Sequence, residues 1–439
     1  MNAIFFALVL IAFLTAGFRQ LSWIPNDNAS PMELLTNGMV DAAGGSVDLA
    51  LGLVGVMALF LGLMKVAEAG GLLTILARLI RPLMVRLFPE VPPDHPAMGA
   101  MILNMAANAL GLGNAATPFG IRAMQELDRL NPVKGTATNS MALFLAINTS
   151  SVTLLPTGVI ALRASAGSMD PAAILPTTLF ATFCSTIVAI LAAKTYQRFF
   201  PIEPIAAEAD STESNQPTSQ TTTKESDTET LAEAHAISAG YPTWVSVVAL
   251  LTVVGFIPLT IFHGRAISPW VIPSLMVALL GFGVIKGVRV YEVFVEGAKE
   301  GFQVAIRIIP YLVAILVAVG MFRASGALGY LVNLIGPATS AVGLPAEALP
   351  MALLRPLSGS GAYGILASLL EDPTIGPDSY TGLLVSTFQG STETTFYVLA
   401  VYFGAVQIRR TRHALGAALT ADVTGIIAAV FICSLLFAV

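Results

Sequence analysis

Long apolar runs alternate with short polar connections along most of the chain, and many runs have the length of one bilayer crossing. A transmembrane α-helix needs roughly 20 mostly apolar residues to cross a hydrocarbon core about 30 Å thick. The runs that meet this requirement are residues 2–18, 46–65, 138–162, 172–193, 243–262, 268–285, 303–322, 381–406 and 415–438. The pattern therefore predicts an all-α polytopic membrane protein with about nine transmembrane helices.

Two further apolar stretches, 97–127 and 347–371, are interrupted in the middle by polar, glycine-rich motifs. Neither half of either stretch is long enough to cross the membrane alone. Non-helical backbone at membrane depth is tolerated only where protein or a water-filled cavity satisfies its polar groups. We therefore predict two re-entrant helical hairpins in addition to the transmembrane helices.

One segment, residues 201–240, departs from the apolar pattern. It is rich in Ser, Thr, Glu and Asp, and eight of the 27 acidic residues of the chain lie between Glu203 and Glu233. A segment of this composition cannot bury enough apolar surface to fold, which predicts a disordered linker. The linker separates two membrane halves, residues 1–200 and 241–439.

The two halves repeat the same order of motifs. In the first half, Gly70-Gly71 precedes an amphipathic segment that runs to Pro82, and in the second half Gly326 precedes a similar segment that runs to Pro337. Each half then continues with its interrupted apolar stretch and with a polar motif inside a later apolar run. Internal repeats of this kind form many transporters, with the binding site at the repeat interface.

The positions of Lys and Arg orient the halves. With the linker in the cytoplasm and both hairpins re-entrant, 17 of the 22 Lys and Arg lie on the inside, as the positive-inside rule expects. The N-terminus is then cytoplasmic and the C-terminus is outside. The helix at 46–65 enters from outside, whereas its equivalent at 303–322 enters from inside. The sequence therefore predicts two inverted-topology repeats.

Composition excludes a soluble globular protein. Of the 439 residues, 55% are hydrophobic and only 11% are charged, whereas soluble domains carry about 25% charged residues. The net charge of −5 gives no reason to expect a nucleic-acid partner. Both cysteines lie in apolar segments and the histidines are scattered, so we expect no disulfide, no metal site and no cofactor. The lipid bilayer is the expected surrounding.

Polar side chains inside the apolar runs mark the candidate site. The run 381–406 contains a carboxylate, Glu393, which is costly to expose to lipid and should face a protein interior or a watery cavity. A buried carboxylate can also carry a proton or bind a cation, so Glu393 and Asp422 are candidates for coupling to H+ or Na+. Arg122 and Arg355 are candidate charge partners of Glu393 or of an anionic solute. The candidate solute-binding residues are Asn104, Asn108, Asn114, Thr117, Asn148, Thr149, Ser150, Ser358, Ser360, Gln389, Ser391, Thr392, Glu393 and Thr394.

These residues also have structural interpretations. Hydroxyls in membrane helices often bond to backbone, and Asn side chains often join packed helices. The two arginines could extend to the membrane surface instead. A hydrolase built on Ser360 and His413 would need a hydrogen-bonded pair, but the predicted topology places these residues on opposite sides. We therefore expect no enzymatic activity.

Two sets of long motifs resemble known families. Those in the first half are similar to spore maturation protein A: Asn104 to Pro118, Ala123 to Leu127 and Ala146 to Ser151. Those in the second half are similar to spore maturation protein B: Arg355 to Ala362, Gln389 to Gly404 and Thr411 to Leu415. The chain thus resembles a fusion of the two, in which each half carries a nucleoside recognition, or Gate, domain. This resemblance implies a location in the bacterial inner membrane.

The Gate domain is named for its similarity to part of the concentrative nucleoside transporters. In those transporters a re-entrant hairpin with a Gln-Thr-Glu-like motif contacts the nucleoside, and Gln389, Thr392 and Glu393 match this motif. Their paired polar helix motif has no clear match in this sequence. The resemblance therefore implies a membrane site for a small solute and leaves the solute itself open.

Two hypotheses follow. The first is a transporter of a small polar solute, nucleoside-like or another metabolite, with its site between the repeats near the membrane midplane. The second is a membrane assembly or scaffold protein of the cell envelope, as the spore maturation names imply. Transport predicts a hydrated cavity at the site, whereas a scaffold predicts that Glu393 and the Asn cluster are buried in direct mutual hydrogen bonds. A homo-oligomeric state stays open.

Overall fold

The computed structural model describes residues 2–25, 29–111, 113–150, 153–201 and 240–437, and within these ranges it is helical with no β-strand. The predicted linker falls almost entirely outside the described residues. The first half contains α1 (Asn2–Leu21), α2 (Pro31–Ala69), α3 (Leu72–Leu87), α4 (Pro96–Ala109), α5 (Gly113–Arg129), α6 (Asn139–Ser150), α7 (Thr157–Ser165) and α8 (Leu175–Tyr196). The second half contains α9 (Thr243–Ile285), α10 (Val290–Ala324), α11 (Ala327–Ser340), α12 (Leu349–Leu354), α13 (Gly359–Glu371), α14 (Tyr380–Ser391), α15 (Thr395–Gly404) and α16 (Ala414–Phe437).

The all-α membrane architecture predicted from the sequence is confirmed. Among the described residues, α2, α8 and α16 are by length and composition able to cross a membrane on their own, and shorter apolar segments lie in α1, α9 and α10. The predicted helices 2–18, 172–193 and 415–438 correspond to α1, α8 and α16. The structure thus places apolar helices where the hydropathy pattern expects them.

Several predicted helices have different bounds in the structure. The runs 243–262 and 268–285 lie within one continuous helix, α9, and the runs 46–65 and 303–322 lie inside the longer helices α2 and α10. Hydropathy marks only the apolar part of a helix. The start of α2 has another cause: the Ser30 hydroxyl accepts a hydrogen bond from the Glu33 N–H, and the Glu33 carboxylate accepts one from the Ser30 N–H. This capping box, with Pro31 as the first helical residue, fixes the helix start.

Two other predicted helices are broken in the middle. In the run 138–162, α6 ends at Ser150 and α7 begins at Thr157, and the described residues between them, 153–156, are not helical. The run 381–406 is divided into α14 and α15 by residues 392–394. Pro156 contributes to the first break because it has no N–H to donate and disfavours helical geometry in the residue before it. The first break follows the polar residues Asn148, Thr149 and Ser150, and the second lies within the polar motif that contains Glu393. A long apolar run conceals such a break because hydropathy does not report backbone continuity.

Both predicted helical hairpins are present. The arms α4 and α5 meet at a turn around Gly111, and α12 and α13 meet at residues 355–358. Gly111 has a φ of 76°, and an added Cβ would lie 2.5 Å from the Leu155 carbonyl oxygen, so this tight turn requires glycine. In the second hairpin the Ser358 hydroxyl accepts a hydrogen bond from the Gly361 N–H and caps α13.

The two halves have the same order of elements in opposite directions. The amphipathic helices α3 and α11 both begin after a left-handed glycine, Gly71 (φ 83°) and Gly326 (φ 84°). The equivalent helices α2 and α10 are in close antiparallel contact: a Cβ on Gly38 would lie 3.4 Å from the Gly320 carbonyl oxygen, and one on Gly62 would lie 2.8 Å from the Phe294 ring. Antiparallel pairing of equivalent helices is what inverted repeats produce.

The broken helices are tied together at both ends. At one end, Arg163 on α7 donates to the Pro377 carbonyl (2.5 Å) and to Asp378 (3.0 Å). At the other end, Arg412 donates to the Ala137 carbonyl (2.9 Å) and to Asn139 (3.0 Å). We call these two surfaces the Arg163 face and the Arg412 face. Arg163 lies near the end of the first broken helix and reaches the loop before α14, and Arg412 lies in the connection after the second broken helix and reaches the residues at the start of α6.

On the Arg412 face, His413 gives a pH-dependent prediction. The imidazole is buried and neither ring nitrogen has a hydrogen-bond partner, and burial, assisted by the neighbouring Arg412 charge, lowers the pKa of His413 from 6.5 to about 4. Between these values the unfolded chain binds more protons than the folded one, so stability should fall as the pH drops from 6.5 towards 4. We expect the melting temperature in nanodiscs to decrease over this range, and His413→Leu to weaken that decrease. An unchanged pH profile for His413→Leu would assign the decrease to other groups.

Candidate functional site

The two broken helices cross where each is interrupted. At the crossing, the Glu393 N–H donates to the Thr149 carbonyl at 2.8 Å. The end of α14 approaches the first half closely because Gly390 has no side chain. An added Cβ would lie 3.1 Å from Pro156 and 3.0 Å from Thr178. We call this region, formed by the breaks 153–156 and 392–394 and by the two hairpin turns, the junction.

Each hairpin turn packs against the break in its own half. In the first half, the Leu154 N–H donates to the Ala109 carbonyl at 2.9 Å. In the second half, the Phe396 N–H donates to the Pro356 carbonyl at 3.0 Å. Breaking a helix leaves backbone donors and acceptors unpaired. The hairpin turns satisfy part of them, which explains why non-helical backbone persists between apolar helices.

A hydrogen-bond network joins the first half to the second across the junction. Asn108 donates to the Asn148 side-chain oxygen at 3.0 Å, and Asn148 donates to the Phe144 carbonyl at 2.9 Å. Asn104 donates to the Tyr402 hydroxyl at 3.1 Å, and that hydroxyl lies 3.4 Å from the Asn148 oxygen. Tyr402 was not among the predicted site residues, because a lone tyrosine in an apolar run carries no signal of a partner in the other half.

Gly120 makes the position of Tyr402 possible and gives a testable prediction. A Cβ on Gly120 would lie 2.1 Å from the Tyr402 hydroxyl oxygen, and Tyr402 is buried and held by asparagines. Gly120→Ala should therefore displace the ring and destabilise the protein by about 1–3 kcal/mol, the usual range for overpacking. Gly404→Ala is the matched control, because an added Cβ there meets no atom within 4 Å. Equal melting temperatures for the two variants would contradict the close packing of Tyr402.

The second half supplies a charge cluster. Arg355, only 4% exposed, donates to the Thr394 hydroxyl at 2.9 Å and to the Thr392 carbonyl. Its guanidinium lies 3.7 Å from a Glu393 carboxylate oxygen, and the Glu393 side chain is 43% exposed. The arginine thus fixes the backbone of the break and faces the carboxylate that the sequence singled out.

Asp422 on α16 lies beside this cluster. The Thr395 hydroxyl donates to one Asp422 oxygen at 2.6 Å, and the other oxygen is buried without a hydrogen-bond partner. A small cavity with room for about one water molecule separates these groups. Its lining consists of Arg355, Pro356, Phe388, Ser391, Thr392, Asp422 and Ile426. The residue type makes Asp422 a candidate, but no local sequence pattern places it next to Arg355.

The remaining predicted residues divide into three groups. The hydroxyls of Thr149, Ser150 and Ser391 bond to carbonyls of their own helices, at 2.9, 2.9 and 3.4 Å, which matches their structural interpretation. The Gln389 side-chain oxygen is buried without a partner. Thr117 lies half-buried on α5 and Ser360 lies exposed on α13.

Three further residues from the sequence analysis remain to be placed. The Asn114 side chain lies outside the described residues. Arg122 pairs with Glu126 at 3.0 Å, one helical turn away on α5, and not with Glu393. The ring nitrogens of His413 have no partner, so the structure contains no Ser360–His413 pair.

A larger cavity opens on the Arg412 face, between the ends of α5 and α15. It has a volume of about 630 Å³ and is lined by Gln125, Asp128, Lys134, Gly135, Ala405, Val406, Gln407 and Arg409. Both helices lead from the junction to this cavity, and the contact between Gly120 and Tyr402 lies between the two. The sequence analysis did not foresee it, because loops distant in sequence form its wall.

Comparison with known proteins identifies the family. Residues 50–198 and 305–409 match the Gate family, described as nucleoside recognition. The chain is 51% identical to spore maturation protein B of Bacillus subtilis over 38% of this chain and 92% of that protein. It is 49% identical to spore maturation protein A of the same organism over 33% of this chain and 74% of that protein. These matches confirm the predicted fusion.

Two more distant similarities complete the comparison. The inner membrane protein YjiG of Escherichia coli is 29% identical over 23% of this chain and 66% of its own length. The structure of CNTnw in an inward-facing substrate-bound state is 14% identical with a TM-score of 0.37, over 96% of this chain and 88% of that one. The family match covers more than half of the sequence. The chain is therefore a bacterial inner membrane protein that belongs to the Gate family and combines regions similar to spore maturation proteins A and B.

Proposed function

We propose that this protein transports a small polar solute across the membrane, with the binding site at the junction. One observation carries the proposal: a half-exposed carboxylate, Glu393, and a buried arginine, Arg355, face each other where two broken helices cross. Broken helices of this kind form the solute sites of many transporters because their free backbone groups and helix ends can contact a solute. A bundle of helices that serves only for packing does not require broken helices.

Unsatisfied polar atoms support the same site. The side-chain oxygens of Gln389, Asn104, Thr178 and Asp422 are buried and lack hydrogen-bond partners. Such atoms are rare in proteins because each costs about 1–3 kcal/mol. A bound solute with donors at the matching positions would satisfy them, and a solute without those donors would be rejected.

The cavity on the Arg412 face supplies an approach to the site. Its volume of about 630 Å³ lies within the range of about 300–1,000 Å³ that small-molecule pockets occupy. We retain the prediction that this face is cytoplasmic, because most of the Lys and Arg residues belong to it on that assignment. The Tyr402 ring then closes the route between the cavity and the junction, as a barrier in alternating access would.

Nucleosides are the first solute class to test, because the family description names them and Gln389, Thr392 and Glu393 resemble the nucleoside-contacting motif. H+ or Na+ coupling through Glu393 or Asp422 belongs to the same proposal, since buried carboxylates hold such cations in transporters.

The test is a thermal-shift screen of nucleosides, amino acids, dicarboxylates and cations on purified wild-type protein and on Glu393→Gln. A ligand at 100 times its Kd stabilises the folded state by about 2.7 kcal/mol. We expect at least one class to raise the melting temperature of the wild type and to lose its effect in Glu393→Gln. Glu296→Gln is the matched control, because Glu296 lies exposed on α10, and it should respond as the wild type does.

A scaffold function is the second candidate, and one observation favours it. Asn108, Asn148, Asn104 and Tyr402 are joined by direct hydrogen bonds of 3.0–3.4 Å, which is the packing that a scaffold predicts. The spore maturation names of two relatives fit an envelope assembly role as well. The half-exposed Glu393 does not fit it. No stabilisation by any class in the screen would favour the scaffold.

A further inference from the structure

The charges at the junction do not balance. Arg355 faces two carboxylates: Glu393, at 3.7 Å, and Asp422, with which it shares the wall of the small cavity. With both carboxylates ionised, the cluster carries one uncompensated negative charge among apolar helices. Burying an unpaired charge is costly, so a proton or another positive group must compensate it.

Geometry favours Asp422 as the protonated carboxylate. Glu393 is 43% exposed and can remain ionised in contact with water and Arg355. Asp422 is only 3% exposed, accepts one hydrogen bond from Thr395, and has one oxygen without any partner. An ionised carboxylate offers about four acceptor positions, and this site fills few of them. A neutral carboxyl group loses far less by the same burial.

Among the residues that the structure describes, no other charged side chain is in a position to compensate Asp422. The helices packed against α16 near Asp422 are α6, α8, α14 and α15, and α6 has no titratable residue. The titratable side chains on the other three are Cys184, Lys194, Tyr196, Tyr380, Tyr397 and Tyr402. Of these only Lys194 is charged at neutral pH, and it is exposed. The balance therefore rests on Arg355, Glu393 and Asp422.

We infer that Asp422 holds a proton which it releases when a positively charged group of the solute binds at Glu393. The inference rests on the proposed function and names its solute class: a cationic or zwitterionic amine, exchanged for a proton. An ammonium group beside Glu393 neutralises that carboxylate, which leaves Arg355 free to compensate an ionised Asp422. The proton lost from Asp422 passes to solvent. The net charge of the cluster is unchanged, because the ammonium group of the solute replaces the charge of that proton.

A proton fits this position better than a metal ion. Arg355 lines the same cavity as the free Asp422 oxygen, and its charge opposes a second cation there. The cavity has room for about one water molecule, whereas a bound metal ion needs several oxygen ligands around it. Stabilisation of the protein by NaCl, relative to KCl at equal ionic strength and without solute, would overturn the assignment of a proton.

The experiment is calorimetric titration of the full chain in nanodiscs at pH 7 with putrescine, arginine, adenosine and succinate. Each titration is made in phosphate and in PIPES, which carries a net negative charge and differs from phosphate in ionisation enthalpy, so that the difference in measured heat counts the protons released. We expect putrescine or arginine to bind with about one proton released per solute. Asp422→Asn, which resembles the protonated carboxyl, should release none, and Asp94→Asn should behave as the wild type because Asp94 is 90% exposed.

The outcomes separate the inference from the proposed function. Binding of adenosine or succinate alone, or amine binding with equal heats in both buffers, would overturn the inference and leave transport intact. Binding of none of the four probes would count against both. The wild-type measurement decides these cases even where Asp422→Asn does not fold. Proton release that persists in a folded Asp422→Asn would assign the proton to another group.

Discussion

Replacing Arg163 with methionine should destabilise the protein by about 3–5 kcal/mol, the range for breaking a buried ion pair from one side. The Arg163 side chain is fully buried and donates to the Pro171 carbonyl, the Ser168 hydroxyl and the Asp378 carboxylate at 3.0–3.2 Å. It also donates to the Pro377 carbonyl of the other half. Its removal leaves the Pro171 and Pro377 carbonyls without this donor, and each unpaired group adds to the loss. Asp378 loses its ion pair but keeps hydrogen bonds from the Ser168 hydroxyl and the Met169 N–H.

The measurement is thermal unfolding in nanodiscs, with Arg323→Met as the matched control. Arg323 also pairs with an aspartate of the second half, Asp372, at 2.9 Å, but its side chain is 39% exposed. Exposed ion pairs contribute about 0–1 kcal/mol, so the control should change little. Similar losses in the two variants would show that Arg163 does not hold the halves together as its contacts indicate.

The Arg163 contact has an equivalent on the opposite face. Arg412 reaches the loop before α6 in the way that Arg163 reaches the loop before α14, and each loop belongs to the other half. The first half therefore supports the broken helix of the second, and the second supports that of the first. A chain that fuses the two halves keeps these mutual contacts within one molecule.

Much of the fold could be predicted because it rests on local signals. The lengths of the apolar runs predict the membrane helices, and the glycine-rich interruptions predict the hairpins. Gly71 and Gly326 each precede an amphipathic segment in their own half, which predicts the repeat. The direction of the repeats follows from the bias of Lys and Arg. Each of these signals depends on residues close together in the sequence, so the sequence carries them directly.

The arrangement of the site depends on pairs that no local pattern reveals. Tyr402 contacts Asn104, which is nearly 300 residues away in the chain, and Arg355 approaches Asp422 only because a hairpin turn packs against a break. Arg122 illustrates the converse: it lies close to a polar motif in sequence, yet its partner is Glu126. Residue type identified the candidates, and tertiary packing decided which of them meet.

Replacing Arg355 with methionine should be as damaging as the loss of Arg163 and should also abolish solute binding. Arg355 is 4% exposed and fixes the break through Thr392 and Thr394 while it faces Glu393. Without it the buried Thr392 carbonyl and Thr394 hydroxyl lose their donor and Glu393 loses its cation, so we expect a loss of about 1–3 kcal/mol for each buried group left unpaired. The double variant Arg355→Met/Glu393→Gln should recover part of this loss, because it removes the charge that the single variant leaves unpaired.

Arg122→Met is the matched control for both readouts. Arg122 pairs with the buried carboxylate of Glu126, but Glu126 keeps a second partner, Arg129, at 2.8 Å. Its loss should therefore cost less in melting temperature and should leave ligand-induced stabilisation intact. A double variant no more stable than Arg355→Met would show that Arg355 acts through the backbone of the break alone. Recovery of stability without recovery of binding would show that Arg355 has two separate roles. Packing would then hold Thr392 and Thr394 in place, and charge would hold the solute.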